Sequence, residues 1–135
     1  MKEPRAITVR RIAPAFADAR GTITDVLQDV AVTDATIITT RAGAVRGNHF
    51  HKETRQFLYM LEGRMRLTTR YAGHRSTSVV LEKGDLVVSE PGEQHAMRAL
   101  EDMVWLVLSS GPRGGTDFES DTFRLAAEDL LERPD

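Results

Sequence analysis

Short apolar and β-branched runs recur along the chain at close spacing: Ile7 to Val9, Thr22 to Leu27, Ala35 to Thr40, Phe57 to Leu61, Met65 to Thr69, Ser78 to Leu81, Leu86 to Ser89 and Met103 to Leu108. The turns between many of them are marked by Glu62-Gly63, Ala72-Gly73, Lys83-Gly84-Asp85 and Pro91-Gly92, which supply permissive backbone or a preset φ. This rhythm predicts an all-β, antiparallel sandwich or barrel. Arg64-Met65-Arg66-Leu67-Thr68 alternates strictly, placing Met65 and Leu67 on an inner face and Arg64 and Arg66 on a wet one. At the end of the chain the pattern changes. Leu125, Leu130 and Leu131 suit one face of a helix over Leu125 to Arg133, with Pro134 beyond it, so a short C-terminal helix is expected. Gly111-Pro112-Arg113-Gly114-Gly115 predicts a loop before the acidic stretch Asp117 to Asp121.

With 135 residues and no linker, repeat or low-complexity segment, residues 1–135 are expected to form a single domain. Eighteen Lys and Arg balance twenty Asp and Glu, which gives no electrostatic reason to expect a nucleic-acid partner. Cysteine is absent, which removes disulfides, thiolate metal sites and cysteine nucleophiles. The longest apolar stretches, Phe57 to Leu61 and Met103 to Leu108, fall far below the roughly 18 residues a membrane helix needs. Met1-Lys2-Glu3-Pro4-Arg5 shows no secretory pattern, so a cytoplasmic protein without membrane contact is expected.

The histidines carry the chemistry. His49 and His51 stand two apart, which in an extended segment sends both imidazoles to one face. Gln56 follows at the start of an apolar strand, and His95 comes after the Pro91-Gly92 turn, placed to return to the same mouth. Three imidazoles and an amide oxygen suit a divalent ion such as zinc, iron, manganese or nickel. Without an ion, the same imidazoles can act as acid and base near neutral pH. His74 and Glu53 are expected in solvent, and Tyr59, Met60, Met97 and Trp105 in the lining or core. Arg46 and Lys52 flank the pair and are candidates for an anionic substrate.

Gly43, His49, His51, Gln56 and Gly63 match the spacing of the first cupin motif, with Gln56 where glutamate is usual; Gly84-Asp85 and Glu90-Pro91-Gly92-Glu93-Gln94-His95 are similar to the second. The chain therefore resembles a small single-domain cupin, with a motif core from about 43 to 108. The resemblance implies a cupin-type antiparallel β-barrel, the double-stranded β-helix or jelly roll. Asp18-Ala19-Arg20-Gly21, Val45 to Lys52 with Gln56, and Leu106 to Ser110 followed by Asp117 to Asp121 resemble the RmlC-like and WxcM-like sugar-nucleotide ketoisomerase cupins. That family tends to carry a tyrosine on the strand before the histidines, where this chain has Ile37, Ile38 and Thr39.

This narrower resemblance implies an isomerase or epimerase acting on a nucleotide-linked keto-deoxy sugar, with His49 and His51 transferring protons. Arg20 would hold a diphosphate oxygen, and a metal would not be required. Two alternatives stand beside it. One is a metal-dependent cupin with His49, His51, Gln56 and His95 as ligands, acting on a small acidic metabolite such as an unsaturated uronate. The other is a non-catalytic cupin that binds a small ligand. A homodimer is expected, formed through sheet edges near the N-terminal strand, with Ile7 to Ile12 as the segment lent to a partner.

Overall fold

The computed structural model describes residues 1–111 and 120–135. Of the expected Gly111 to Gly115 loop only Gly111 belongs to them; Asp117 to Glu119 lie outside the described residues. Two five-stranded antiparallel sheets face each other. In the first, the order is β1 (Arg10–Arg11), β9 (Asp85–Ser89), β6 (Arg55–Glu62), β11 (Met103–Ser110) and β4 (Asp34–Thr40). In the second it is β12 (Phe123–Arg124), β5 (Val45–Phe50), β10 (Gln94–Ala99), β7 (Arg64–Arg70) and β8 (Thr77–Glu82). A two-stranded ribbon, β2 (Phe16–Asp18) with β3 (Gly21–Ile23), is a sheet of its own.

Period-two alternation builds the core between the sheets. Leu58 and Met60 on β6, Trp105 and Val107 on β11 and Val87 on β9 meet Met65 and Leu67 on β7, Met97 and Ala99 on β10 and Leu81 on β8. Each large apolar side chain so buried contributes roughly 1.5–3 kcal/mol. Two residues further along each strand, toward the same end, the inward residues turn polar on five strands: Gln56, Ser109, Ser89, His95 and Thr69, all buried. Register confirms that they share a level, with Gln56 opposite both Ser109 and Ser89, and His95 opposite Thr69. The barrel thus has an apolar body and a polar end layer, which is where chemistry can be placed.

The expected C-terminal helix is corrected by the structure to a single 3-10 turn over Ala127–Asp129. Hydrogen bonding across the second sheet outcompetes the helical ladder. The Asn48 side chain accepts from the backbone N–H groups of Leu131 (2.9 Å) and Glu132 (3.2 Å) and donates to the Glu132 carbonyl (2.8 Å). The Glu132 carboxylate is clasped by Arg66 and Arg98. Arg66 is therefore covered by the tail rather than fully wet. No helix among the described residues is long and apolar enough to cross a membrane.

Candidate active site

His49 reaches the interior because β5 carries a bulge. Against β10 the register runs His95 to His49 and then Ala96 to Gly47, so Asn48 is an extra residue. Gly47 and Asn48 both have positive φ, +89° and +58°. A Cβ on Gly47 would sit 2.8 Å from the His95 carbonyl oxygen, so only glycine allows β5 and β10 to approach this closely. The bulge turns the Asn48 side chain out to hold the tail while His49 faces in.

The three histidines meet as expected. Ring centroids are 4.9 Å apart for His49 and His51, 4.8 Å for His49 and His95, and 5.4 Å for His51 and His95. His51 is 3% exposed and His95 1%. Burial, and then any positive charge on His49 and His51, holds His95 well below the ordinary imidazole range, so it is neutral. Its Nδ1 lies 3.1 Å from the Ser89 hydroxyl, a bond that crosses from one sheet to the other. His51 Nδ1 lies 2.8 Å from the main-chain carbonyl oxygen of Asp121.

His49, His95 and Gln56 line a cavity of about 330 Å³ that opens between the sheets, walled by Ile38, Leu58, Met97, Trp105 and Val107. His51 adjoins both other rings but is not on the cavity wall. Of the expected cationic residues, Arg46 is on the wall, fixed by donating to Thr40 Oγ1 (2.8 Å) and the Thr39 carbonyl (3.0 Å). It also borders a larger, open cavity of about 570 Å³ with Arg41, Glu62 and Asp102. Lys52 places its Nζ 4.1 Å over the Phe123 ring and does not line the histidine cavity. Arg20 is at the exposed tip of the β2–β3 ribbon, paired with Asp18 at 2.6 Å, in a separate shallow depression. His74 is half-buried rather than in solvent, tied to the Glu3 carbonyl at 2.9 Å, and does not line this cavity.

Sequence reasoning passed over Arg124, Ser89, Asn48 and Asp121. Arg124 lies opposite His49 in the β12–β5 pair and lines the cavity. Asp121 grips the loop after His51: its carboxylate accepts from the backbone N–H groups of Lys52, Glu53 and Thr54 and from the Thr54 hydroxyl. Burial works to raise the Asp121 pKa, but these hydrogen bonds, led by that of the Thr54 hydroxyl, outweigh it and lower the value. No spacing rule would have found the contacts of Arg124, Asn48 and Asp121, since each joins residues dozens of positions apart; Ser89 is six positions from His95 and meets it across the turn at Pro91-Gly92.

Three imidazoles with ligand atoms within 4.8 Å of one another, and Gln56 on the same cavity wall, form a neutral donor set that fits a divalent ion.

A cupin-domain family model matches residues 36–109, more than half of the chain. The protein belongs to the cupin family. No curated protein matches it by sequence. Among solved structures, this cupin is similar to a 3,4-ketoisomerase from Helicobacter canadensis (TM-score 0.76, 22% identity, 90% of this chain and 92% of that one). It is also similar to a sugar 3,4-ketoisomerase from Thermoanaerobacterium thermosaccharolyticum solved with TDP-4-keto-6-deoxyglucose (0.73, 21%, 88% and 87%). A third is the RmlC epimerase of Mycobacterium tuberculosis (0.74, 19%, 90% and 69%). At these identities the likeness is one of fold.

Proposed function

We propose that this cupin isomerises or epimerises a nucleotide-linked keto-deoxy sugar by histidine acid-base chemistry. The observation that carries the proposal is a pair of adjacent imidazoles at the polar end of a barrel, one of them lining a cavity that Arg46 and Arg124 also line. The α-proton of a ketone is acidic enough for imidazole once the enolate is stabilised. In the 3,4-isomerisation one imidazole removes the proton from the carbon beside the carbonyl, giving an enediolate. The other returns a proton to the former carbonyl carbon, while the hydroxyl proton passes to its oxygen. No oxidant or reductant is consumed. His49 acts from the cavity wall and His51 from immediately beside it, and neutral His95 packs against both. Arg46 and Arg124 take the diphosphate oxygens by charge-assisted hydrogen bonds; Arg20 and Lys52, which do not line the cavity, are secondary candidates.

The substrate-bearing unit in this proposal is a homodimer. Within the single chain Ile7 and Val9 pack on the core and β1 pairs with β9, and the same segment, Ile7 to Ile12, is the one proposed to be lent to a partner. Exposed apolar side chains are also found on the β2–β3 ribbon, with Phe16 51% and Ile23 60% exposed, and on edge strand β4, with Ile37 66% exposed. An isolated two-stranded ribbon is marginal in water, and a second copy would cover it.

A second reading rests on the convergence of three histidines. His49, His51 and His95, with Gln56, would hold a divalent ion whose chemistry there is polarisation of a substrate carbonyl. The two make opposite demands on chelation. The test is incubation with TDP-4-keto-6-deoxyglucose, followed by NMR of the sugar ring. Conversion to a 3-keto or C3/C5-epimeric product, undiminished by chelator, supports proton transfer by the histidines alone. No conversion, together with stoichiometric metal that disappears in His95→Ala, supports the metal site.

A further inference from the structure

Asp121 makes two kinds of contact with the segment that carries His51, and the two have different consequences. Its carboxylate is received by three successive backbone N–H groups: Lys52 to Oδ1 at 2.9 Å, Glu53 to Oδ2 at 3.1 Å, and Thr54 to Oδ2 at 2.9 Å. The Thr54 hydroxyl adds a bond of 2.8 Å. Consecutive N–H groups aimed at one carboxylate form an anion nest, and here it is filled by a side chain of the same chain. Asp121 and Thr54 are 4% and 2% exposed, so these bonds are shielded from water. The main-chain carbonyl of Asp121 faces the other way, toward His51 Nδ1 at 2.8 Å.

A carbonyl oxygen has no proton to give. The 2.8 Å contact therefore requires the proton of the neutral ring to be on Nδ1, and the lone pair falls to Nε2. The carboxylate fixes where that carbonyl stands, because the nest anchors Asp121 to the three residues that follow His51. Ring and acceptor are thus held in one rigid unit. His95 differs in that its Nδ1 meets a hydroxyl, a group that accepts or donates equally well, while a main-chain hydrogen bond to Glu93 also acts on its ring.

We propose that Asp121 is a positioning residue that locks His51 in the Nδ1–H tautomer, so that Nε2 is the nitrogen that accepts a proton. This rests on the proton-transfer function proposed above, in which His51, beside the cavity wall, takes part through Nε2 while His49 acts from the wall itself. The contribution belongs to the geometry of two hydrogen-bonding groups on one residue; the side chain never touches substrate.

The experiment reads the tautomer directly, by two-bond ¹H–¹⁵N correlation of the histidine rings in the full chain, assigned through His51→Asn. Wild type is expected to show His51 as Nδ1–H with an unprotonated Nε2. In Asp121→Ala the His51 signals are expected to move to a mixture of tautomers, with Asp121→Asn intermediate because one side-chain oxygen still accepts. Thr54→Val removes a single bond from the nest, leaves the backbone donors in place and is expected to shift the populations part of the way; it decides the matter if Asp121→Ala does not fold. With an accepted keto sugar, kcat in Asp121→Ala falls by about 10²-fold while KM stays near wild type, as expected for loss of a general base. A wild-type His51 protonated on Nε2 would overturn the proposal. So would folded Asp121→Ala and Thr54→Val proteins that both keep the wild-type tautomer. If no keto sugar is turned over but the tautomer shifts as described, the positioning stands and the function proposed above is what fails.

Discussion

Two glutamates respond to pH with opposite sign. Burial, reinforced by the neighbouring Glu90 carboxylate, pushes Glu93 up to about 7 against a hydrogen bond from Tyr71. Its folded pKa lies above the unfolded value, so its stabilising contribution is complete below about pH 4.5 and is lost as pH rises through 7. Glu93→Gln is expected to raise Tm at pH 8 by about 4 °C and to leave it unchanged at pH 4, checked by calorimetry. Glu132 behaves the other way. The Arg66 hydrogen bonds, against the cost of burial and with help from Arg98, hold its carboxyl below the usual range. Its contribution is present above about pH 4.5 and is lost as pH falls through the lower folded value. Glu132→Gln is expected to lower stability at pH 7, because Arg66 loses its charged partner and Arg98 keeps only Asp135 and the main-chain carbonyls of Gly43 and Arg133. Denaturation curves of the two proteins should converge below pH 4.

At the scale of elements, the bulge in β5 is what aims His49. Gly47→Ala would place a methyl group 2.8 Å from the His95 carbonyl on a backbone that disfavours side chains. The expected loss is about 3 kcal/mol in urea denaturation, from left-handed strain plus the clash. A stability within 0.5 kcal/mol of wild type would contradict the bulge. The same strand shows how far the sequence was legible. Met65 to Thr69 announces itself by alternation and Met103 to Leu108 as a continuous apolar run, and the structure has them as β7 and β11. Val45–Phe50 and Gln94–Ala99 form no apolar run, because Gly47, His49 and His95 interrupt the inward positions that Val45, Met97 and Ala99 also take. Only the motif spacing revealed what they hold. The run Thr22 to Leu27 shrinks to Gly21–Ile23, where Phe16 and Ile23 stay more than half exposed among the described residues. Leu125 to Arg133 has helical spacing, yet Asn48, more than 80 positions away in the bonds it makes, claims its backbone. Competition with a distant partner leaves no mark in local periodicity.

For the whole molecule, two sheets that share an apolar body and a polar end explain why one mutation set tests fold and another tests chemistry. The proposed dimer belongs to this scale. Sedimentation is expected to give a dimer at micromolar concentration, and Phe16→Ser with Ile37→Ser to shift it toward monomer while circular dichroism stays the same. A monomeric wild type would remove the interface. Above these stands the claim that His49 and His51 move protons on a nucleotide-linked keto sugar. The most direct measurement is solvent-deuterium exchange: the protein is incubated in heavy water with TDP-4-keto-6-deoxyglucose and the sugar is analysed by mass spectrometry and NMR. Deuterium should enter beside the carbonyl in wild type with or without chelator, and fail to enter in both His49→Asn and His51→Asn; exchange that survives both substitutions, or that never occurs in wild type, would contradict the account.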